Sequence, residues 1–194
     1  MKGAVALCVA LAAIALFAAD SGPVVAVTGG QVRGAKLDSG GAVFRGIPFA
    51  QPPVGLLRWR EPLPVKPWRG VRDATAFGAP CMQLPAPFFP GMGETSSEDC
   101  LFLNIWTSAW PPREKRPVMV SMPGGANELG AASQTQTDGE SLARRGVVLV
   151  SINYRLGLFG FFAQPEERAG GLRGPRPAGC NADLGGTRLA AGRR

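Results

Sequence analysis

Short apolar runs punctuated by glycine and proline dominate the hydrophobic pattern of this chain. Val24 to Val27 and Gln31 to Lys36, separated by Gly29 and Gly30, predict a hairpin. Ala42 to Ile47 continues as a strand and stops at Pro48. Phe49 to Val71 is dense in Pro, Trp and Arg, which predicts an irregular segment wrapped over the surface, with Trp59 and Trp68 requiring burial. LFLNIWT, Leu101 to Thr107, sets Leu101, Leu103 and Ile105 on one face and Phe102, Asn104 and Trp106 on the other. Both faces are largely apolar, so this strand is predicted to be covered on both sides.

Pro111 to Arg116 reads as a turn and Pro117 to Met122 as the next strand, ended by Gly124 and Gly125. Asp138 is a candidate N-cap for a helix running from Glu140 to Arg145, with arginines in its last turn and Gly146 just beyond. VVLVSINY, Val147 to Tyr154, is a nearly uninterrupted apolar strand of the kind found inside parallel sheets. Strand, helix and strand at this spacing predict a right-handed crossover. From Arg168 onward the apolar periodicity disappears, and the Gly, Arg and Pro content suits no further sheet element.

Composition narrows the picture. With 45% hydrophobic and 18% charged residues over 194 positions, the chain is globular and long enough for a sizeable core. Met1 and Lys2 precede an uncharged run of secretory-signal type, with small residues near Ala18 to Ser21 for cleavage. An uncleaved membrane anchor is the competing reading, but the run is Ala-rich and short for a span. The net charge of +7 raises a nucleic-acid reading, yet the tail after Ala169 carries +4 of it, in Arg173, Arg176, Arg188, Arg193 and Arg194 against Asp183. No aromatic residues interleave with those arginines to stack bases, so no nucleic-acid partner is expected.

After removal of the leader, Cys81, Cys100 and Cys180 remain. Cys81 and Cys100 bracket a Pro- and Gly-rich loop and read either as a disulfide, favoured in an exported protein, or as two separate buried thiols. Cys180 is left odd. No metal or organic cofactor is implied, because histidine is absent and no carboxylate or cysteine cluster has ligand spacing.

The segments FRGIPFAQPPVGLLRWREP, PWRGVRDATAFGAPC, SSEDCLFLNIW, PGGA and DGESLARRGVVLVSINYRLGLFGFF occur in order between about Gly34 and Pro165. Together they resemble the type-B carboxylesterase family, the α/β-hydrolases that include cholinesterases, bacterial carboxylesterases and the non-enzymatic neuroligins. The resemblance implies the N-terminal part of an α/β-hydrolase fold, a mixed, mostly parallel sheet with crossover helices. It implies a Cys81 to Cys100 disulfide and a structural ion pair between Arg58 and Glu98. It also implies an oxyanion hole at Gly124, Gly125 and Ala126, with the Gly125 and Ala126 amides as main donors. Such a site stabilises the negative oxygen of a tetrahedral intermediate, and small residues let the backbone approach the substrate.

The chain departs from the family pattern at Ser121, Met122, Pro123 and Asn127 around the glycines, at Gln164 where a histidine is usual, and at Ser108 where a proline is common. A serine hydrolase of this fold needs a G-x-S-x-G nucleophile, an acid and a histidine, and none can be assigned. Gly139 to Ala143 only imitates the elbow around Ser141, in the position of the family's ordinary helix. The expected organisation is a secretory signal at 1–21, a partial carboxylesterase domain at 22–167 and a disordered, non-family basic tail at 168–194 that reads as a frameshifted or misassigned end. The expected function is that of a carboxylic ester hydrolase acting on a small-molecule ester through an acyl-serine, secreted or periplasmic, with this chain inactive alone. The alternative is a catalytically dead binding or adhesion module on the same scaffold.

Overall fold

The computed structural model describes residues 22–85, 93, 95–134 and 139–162. The strands are β1 (Val24–Val27), β2 (Gly30–Arg33), β3 (Ala35–Lys36), β4 (Ala42–Pro48), β5 (Val71–Asp73), β6 (Phe102–Thr107), β7 (Val118–Ser121) and β8 (Val148–Ile152). Two short helices, α1 (Glu140–Ala143) and α2 (Gly157–Phe161), follow the glycine loop and β8 respectively. The strands form a three-stranded sheet in the order β1-β2-β5 and a five-stranded sheet in the order β3-β4-β6-β8-β7.

The hairpin forms between β1 and β2, paired from Val24 with Arg33 to Val27 with Gly30. The stretch predicted as its second strand is split at Gly34, so that β2 joins the small sheet and β3 the large one. A side chain at Gly34 would place its Cβ 2.3 Å from the Val43 carbonyl oxygen, so only glycine lets the chain cross between sheets there.

In the large sheet β3, β4, β6 and β8 pair antiparallel in turn, and β7 lies parallel to β8. Within the large sheet the parallel pairing expected of an α/β fold thus resides, among the described residues, in the β7–α1–β8 unit, and in the small sheet β2 and β5 also pair parallel. Strand β6 is covered on both sides, as its two apolar faces require. Leu103 and Ile105 pack with Val32, Phe44, Ile47, Val150 and Ile152. Trp106, on the other face, packs with Val43, Leu149 and Ala143 of α1.

Helix α1 spans only Glu140–Ala143, with Arg144 closing it and Gly146 following at φ 92°. The predicted cap Asp138 lies outside the described residues. Trp59 departs from the expected burial: it is 41% exposed, at φ 56°. Its ring is covered by Phe159 and Phe162, and its indole N–H donates to the Leu158 carbonyl, so the remaining edge stays in solvent. Trp68 is half-buried and donates to the Gln31 carbonyl. No helix among the described residues is long and apolar enough to cross a membrane.

Candidate oxyanion site

The loop from Met122 to Gly130 leaves the C-terminal end of β7, where sheet strands of α/β folds present their ligand sites. Its backbone turns sharply: Gly125 has φ 131°, and Ala126 and Asn127 follow at 55° and 62°. A Cβ at Gly125 would fall 2.0 Å from the Leu129 carbonyl oxygen, so glycine is required there. Ala126 and Asn127 hold left-handed conformations that cost an L-residue roughly 1–3 kcal/mol, less for Asn, and that persist only when neighbouring structure enforces them.

That enforcement is visible at four points. The Gly125 carbonyl accepts from the amides of Glu128 and Leu129 at 3.0 and 3.1 Å. The Asn127 carbonyl accepts from the Gly157 amide at 2.7 Å, at the start of α2. At the entry, buried Pro123 offers its carbonyl to the Tyr154 hydroxyl at 3.0 Å. At the exit, Gly130 is bonded on both its amide and its carbonyl by the Gln83 side chain.

Beyond Gly130 the chain enters a buried polar network. The Ala132 amide donates to Asn153 Oδ1 at 2.8 Å, and Asn153 Nδ2 donates to the carbonyls of Ala79 and Cys100. The Ala132 carbonyl accepts from Asn104 Nδ2 and from the Ser151 hydroxyl. Asn104 Nδ2 also reaches the Ser151 hydroxyl at 3.0 Å, and Asn104 Oδ1 accepts from Gly46. Such polar side chains are tolerated inside a sheet only when satisfied, and here they fix the loop's exit to β6 and β8.

Within this frame the N–H groups of Gly124, Gly125 and Ala126 find no hydrogen-bond partner among the described residues. Gly124 and Ala126 are exposed, and nothing lies within 4 Å of where a Cβ on Gly124 would sit. Consecutive free amides on a constrained turn suit an anion or a developing oxyanion. Pro123 lacks an amide, but it precedes the three donors.

The structure joins Cys81 to Cys100 in a disulfide. Arg58 Nε and Nη2 meet Glu98 Oε2 and Oε1 at 2.6 and 2.5 Å, a bidentate pair. The hydrogen bond to Glu98 raises the Arg58 guanidinium above its ordinary pKa, and the Trp59 and Phe159 rings lie within 6 Å of it. Ser141 sits exposed on α1, whose Ala143 packs on Trp106 and Leu149. It is therefore on a helix lying over the sheet rather than at a strand-to-helix elbow. Cys180, Gln164, the predicted leader and the predicted tail lie outside the described residues.

Sequence reasoning missed Gln83, Tyr154, Asn104, Ser151 and Asn153. For the last three the signal was present, as polar residues within or directly after strands whose neighbours are apolar on both faces. Nothing in the sequence distinguishes Gln83 within its Pro-rich loop.

The model of the Carboxylesterase family matches residues 21–174. Acetylcholinesterase from Gallus gallus is 41% identical over 189 residues, covering 90% of this chain and 24% of that protein. Carboxylesterase 3 from Homo sapiens is 42% identical over 189 residues, covering 90% of this chain and 33% of that protein. The crystal structure of a Geobacillus stearothermophilus carboxylesterase at pH 6.8 superposes with a TM-score of 0.62 at 41% identity, over 71% of this chain and 27% of that one. The chain spans about a quarter to a third of the length of the curated relatives it matches.

Proposed function

The chain belongs to the carboxylesterase family, and from that premise we propose that it carries the oxyanion-binding part of a carboxylic ester hydrolase. The observation that carries this reading is the run of three unpartnered amides at Gly124, Gly125 and Ala126 on a turn bound at both ends. When a serine oxygen attacks an ester carbonyl, the C=O π pair moves to oxygen, and N–H groups placed in advance stabilise that charge without reorganising. Collapse of the intermediate restores C=O, expels the alkoxide and leaves an acyl-serine. A histidine takes the serine proton and returns it to the leaving group. Neither a G-x-S-x-G serine nor a histidine occurs in the 194 residues, so in the complete enzyme both come from outside them.

Export through residues 1–21 is part of this proposal, and the disulfide in the described region supports it, since such bonds persist in oxidising compartments. The Cys81 to Cys100 bond and the Arg58 to Glu98 pair serve as scaffold: they fasten the irregular segment to the stretch that leads into the central strand β6.

The test uses two proteins. The purified chain without its leader is expected to show no hydrolysis of a short-chain chromogenic ester above buffer, with Ser141→Ala giving the same trace. A chimera in which residues 22–162 replace the matching portion of the Geobacillus stearothermophilus carboxylesterase is expected to hydrolyse the ester. A folded chimera without turnover would overturn the reading, as would turnover by the chain alone that Ser141→Ala abolishes.

A further inference from the structure

The Gln83 side chain makes three hydrogen bonds along one edge of the site, using both of its N–H donors and its oxygen. Its Nε2 donates to the Cys81 carbonyl at 3.0 Å and to the Gly130 carbonyl at 3.1 Å, while its Oε1 accepts from the Gly130 amide at 2.9 Å. Gly130 is thereby gripped as a partner strand would grip it, by a side chain 47 positions away in the sequence. Orientation is fixed by the partners: two carbonyls demand the NH2 end and one N–H demands the oxygen, so a flipped amide would set donor against donor.

Gly130 has little alternative placement. It is buried, at φ 128°, and a Cβ there would fall 2.5 Å from the Gly124 carbonyl oxygen. The exit of the loop therefore lies directly against the Gly124 carbonyl, in the peptide unit that carries the Gly125 amide. Holding Gly130 holds the ring that runs from Gly124 through the Gly125 carbonyl and the Glu128 and Leu129 amides back to Gly130. Gln83 is itself anchored two residues from Cys81, whose disulfide fixes the start of its segment.

We propose that Gln83 is a positioning residue for the oxyanion loop, acting through Gly130. The inference rests on the oxyanion reading for its catalytic meaning, but its structural half is measurable without catalysis. Gln83→Leu keeps much of the volume and removes all three bonds. Gln83→Glu keeps the shape and, in either protonation state, an acceptor for the Gly130 amide, but at neutral pH its carboxylate faces two carbonyls; once protonated, it again donates to one of them.

Backbone amide exchange is read residue by residue on the full 194-residue chain. With two of the lost bonds made to Gly130 itself, Gln83→Leu is expected to speed exchange at Gly130, Glu128 and Leu129 about tenfold or more. The amides of Ile105 and Val150 in β6 and β8 should keep parent rates. Gln83→Glu should speed exchange at Glu128 and Leu129 at pH 7, where its carboxylate repels the two carbonyls, and recover towards the parent, compared at equal pH, as its carboxyl protonates. A bulk packing role would not show that pH dependence.

Faster exchange confined to Gly130, with Glu128 and Leu129 unchanged, would overturn the proposal, and so would a Gln83→Glu variant indifferent to pH. If Gln83→Leu unfolds the chain, the pH response of Gln83→Glu decides. In the chimera, Gln83→Leu should lower kcat while leaving KM near the parent. Loosened exchange with unchanged kcat would keep Gln83 as the clamp of the loop and overturn the oxyanion reading instead.

Discussion

Met119 and Leu149 are register partners on adjacent parallel strands, yet Met119 is 46% exposed and Leu149 is 1% exposed. Val120 and Val150, the next pair, differ in the same way at 43% and 8%. Both strands are apolar on both faces; what differs is the company. Strand β8 has β6 on one side, β7 on the other and α1 above it. Strand β7 is the edge of the five-stranded sheet, and both of its faces are bare among the described residues. The glycine loop thus hangs from a strand with little support of its own. Its geometry must then be set by anchors outside that strand, which is where Gln83, Tyr154, Gly157 and the Asn153 network act.

The same substitution at the two register partners should separate the strands. Leu149→Lys would bury an unpaired ammonium and is expected to cost about 3–5 kcal/mol, enough to unfold much of the chain, as read by denaturant titration. Asn153→Ala removes the partner of the Ala132 amide and of two carbonyls inside the core, and is expected to cost about 1–3 kcal/mol in the same titration. Met119→Lys places its charge on the open edge, where it is expected to shift stability by no more than about 0.5 kcal/mol and to reduce self-association in light scattering. Equal destabilisation by Met119→Lys and Leu149→Lys would mean that β7 is as buried as β8.

The smallest expected effect concerns pH. Pairing with Glu98 raises the folded pKa of Arg58, so its contribution is fully present below the ordinary arginine value and is lost only as pH rises through the raised one. The stability difference between the parent and Arg58→Gln is therefore expected to stay constant from about pH 6 to 9. A difference that shrank across that window would show that another group governs the pair.

Much of the sheet was legible because its strands are short apolar runs closed by Gly or Pro, and burial on two faces leaves a plain pattern in LFLNIWT. The exposure of β7 was hidden for the same reason: PVMVSM carries the apolar pattern of a covered strand and says nothing about which neighbours are present. Gly34 looked like an interior glycine of one strand, because the close approach of the Val43 carbonyl that splits it is tertiary. Trp59 was expected inside on size alone, whereas an indole can leave one edge in water when its ring is stacked and its N–H is bonded. At the site, the glycines were visible through the family pattern. The clamp at Gln83 was not, since a lone polar residue in a loop carries no periodicity, and its partner is 47 positions away.

The most direct test of the central claim is the steady-state kinetics of Gly125→Ala in the chimera. A Cβ at this position collides with the Leu129 carbonyl and requires a backbone conformation closed to alanine, so the donor array is displaced without any change to nucleophile or base. The account predicts a fall in kcat of about 100-fold or more with KM little altered, the signature of a lost oxyanion donor. A folded Gly125→Ala chimera with parental kcat would contradict it and leave the loop as a structural turn.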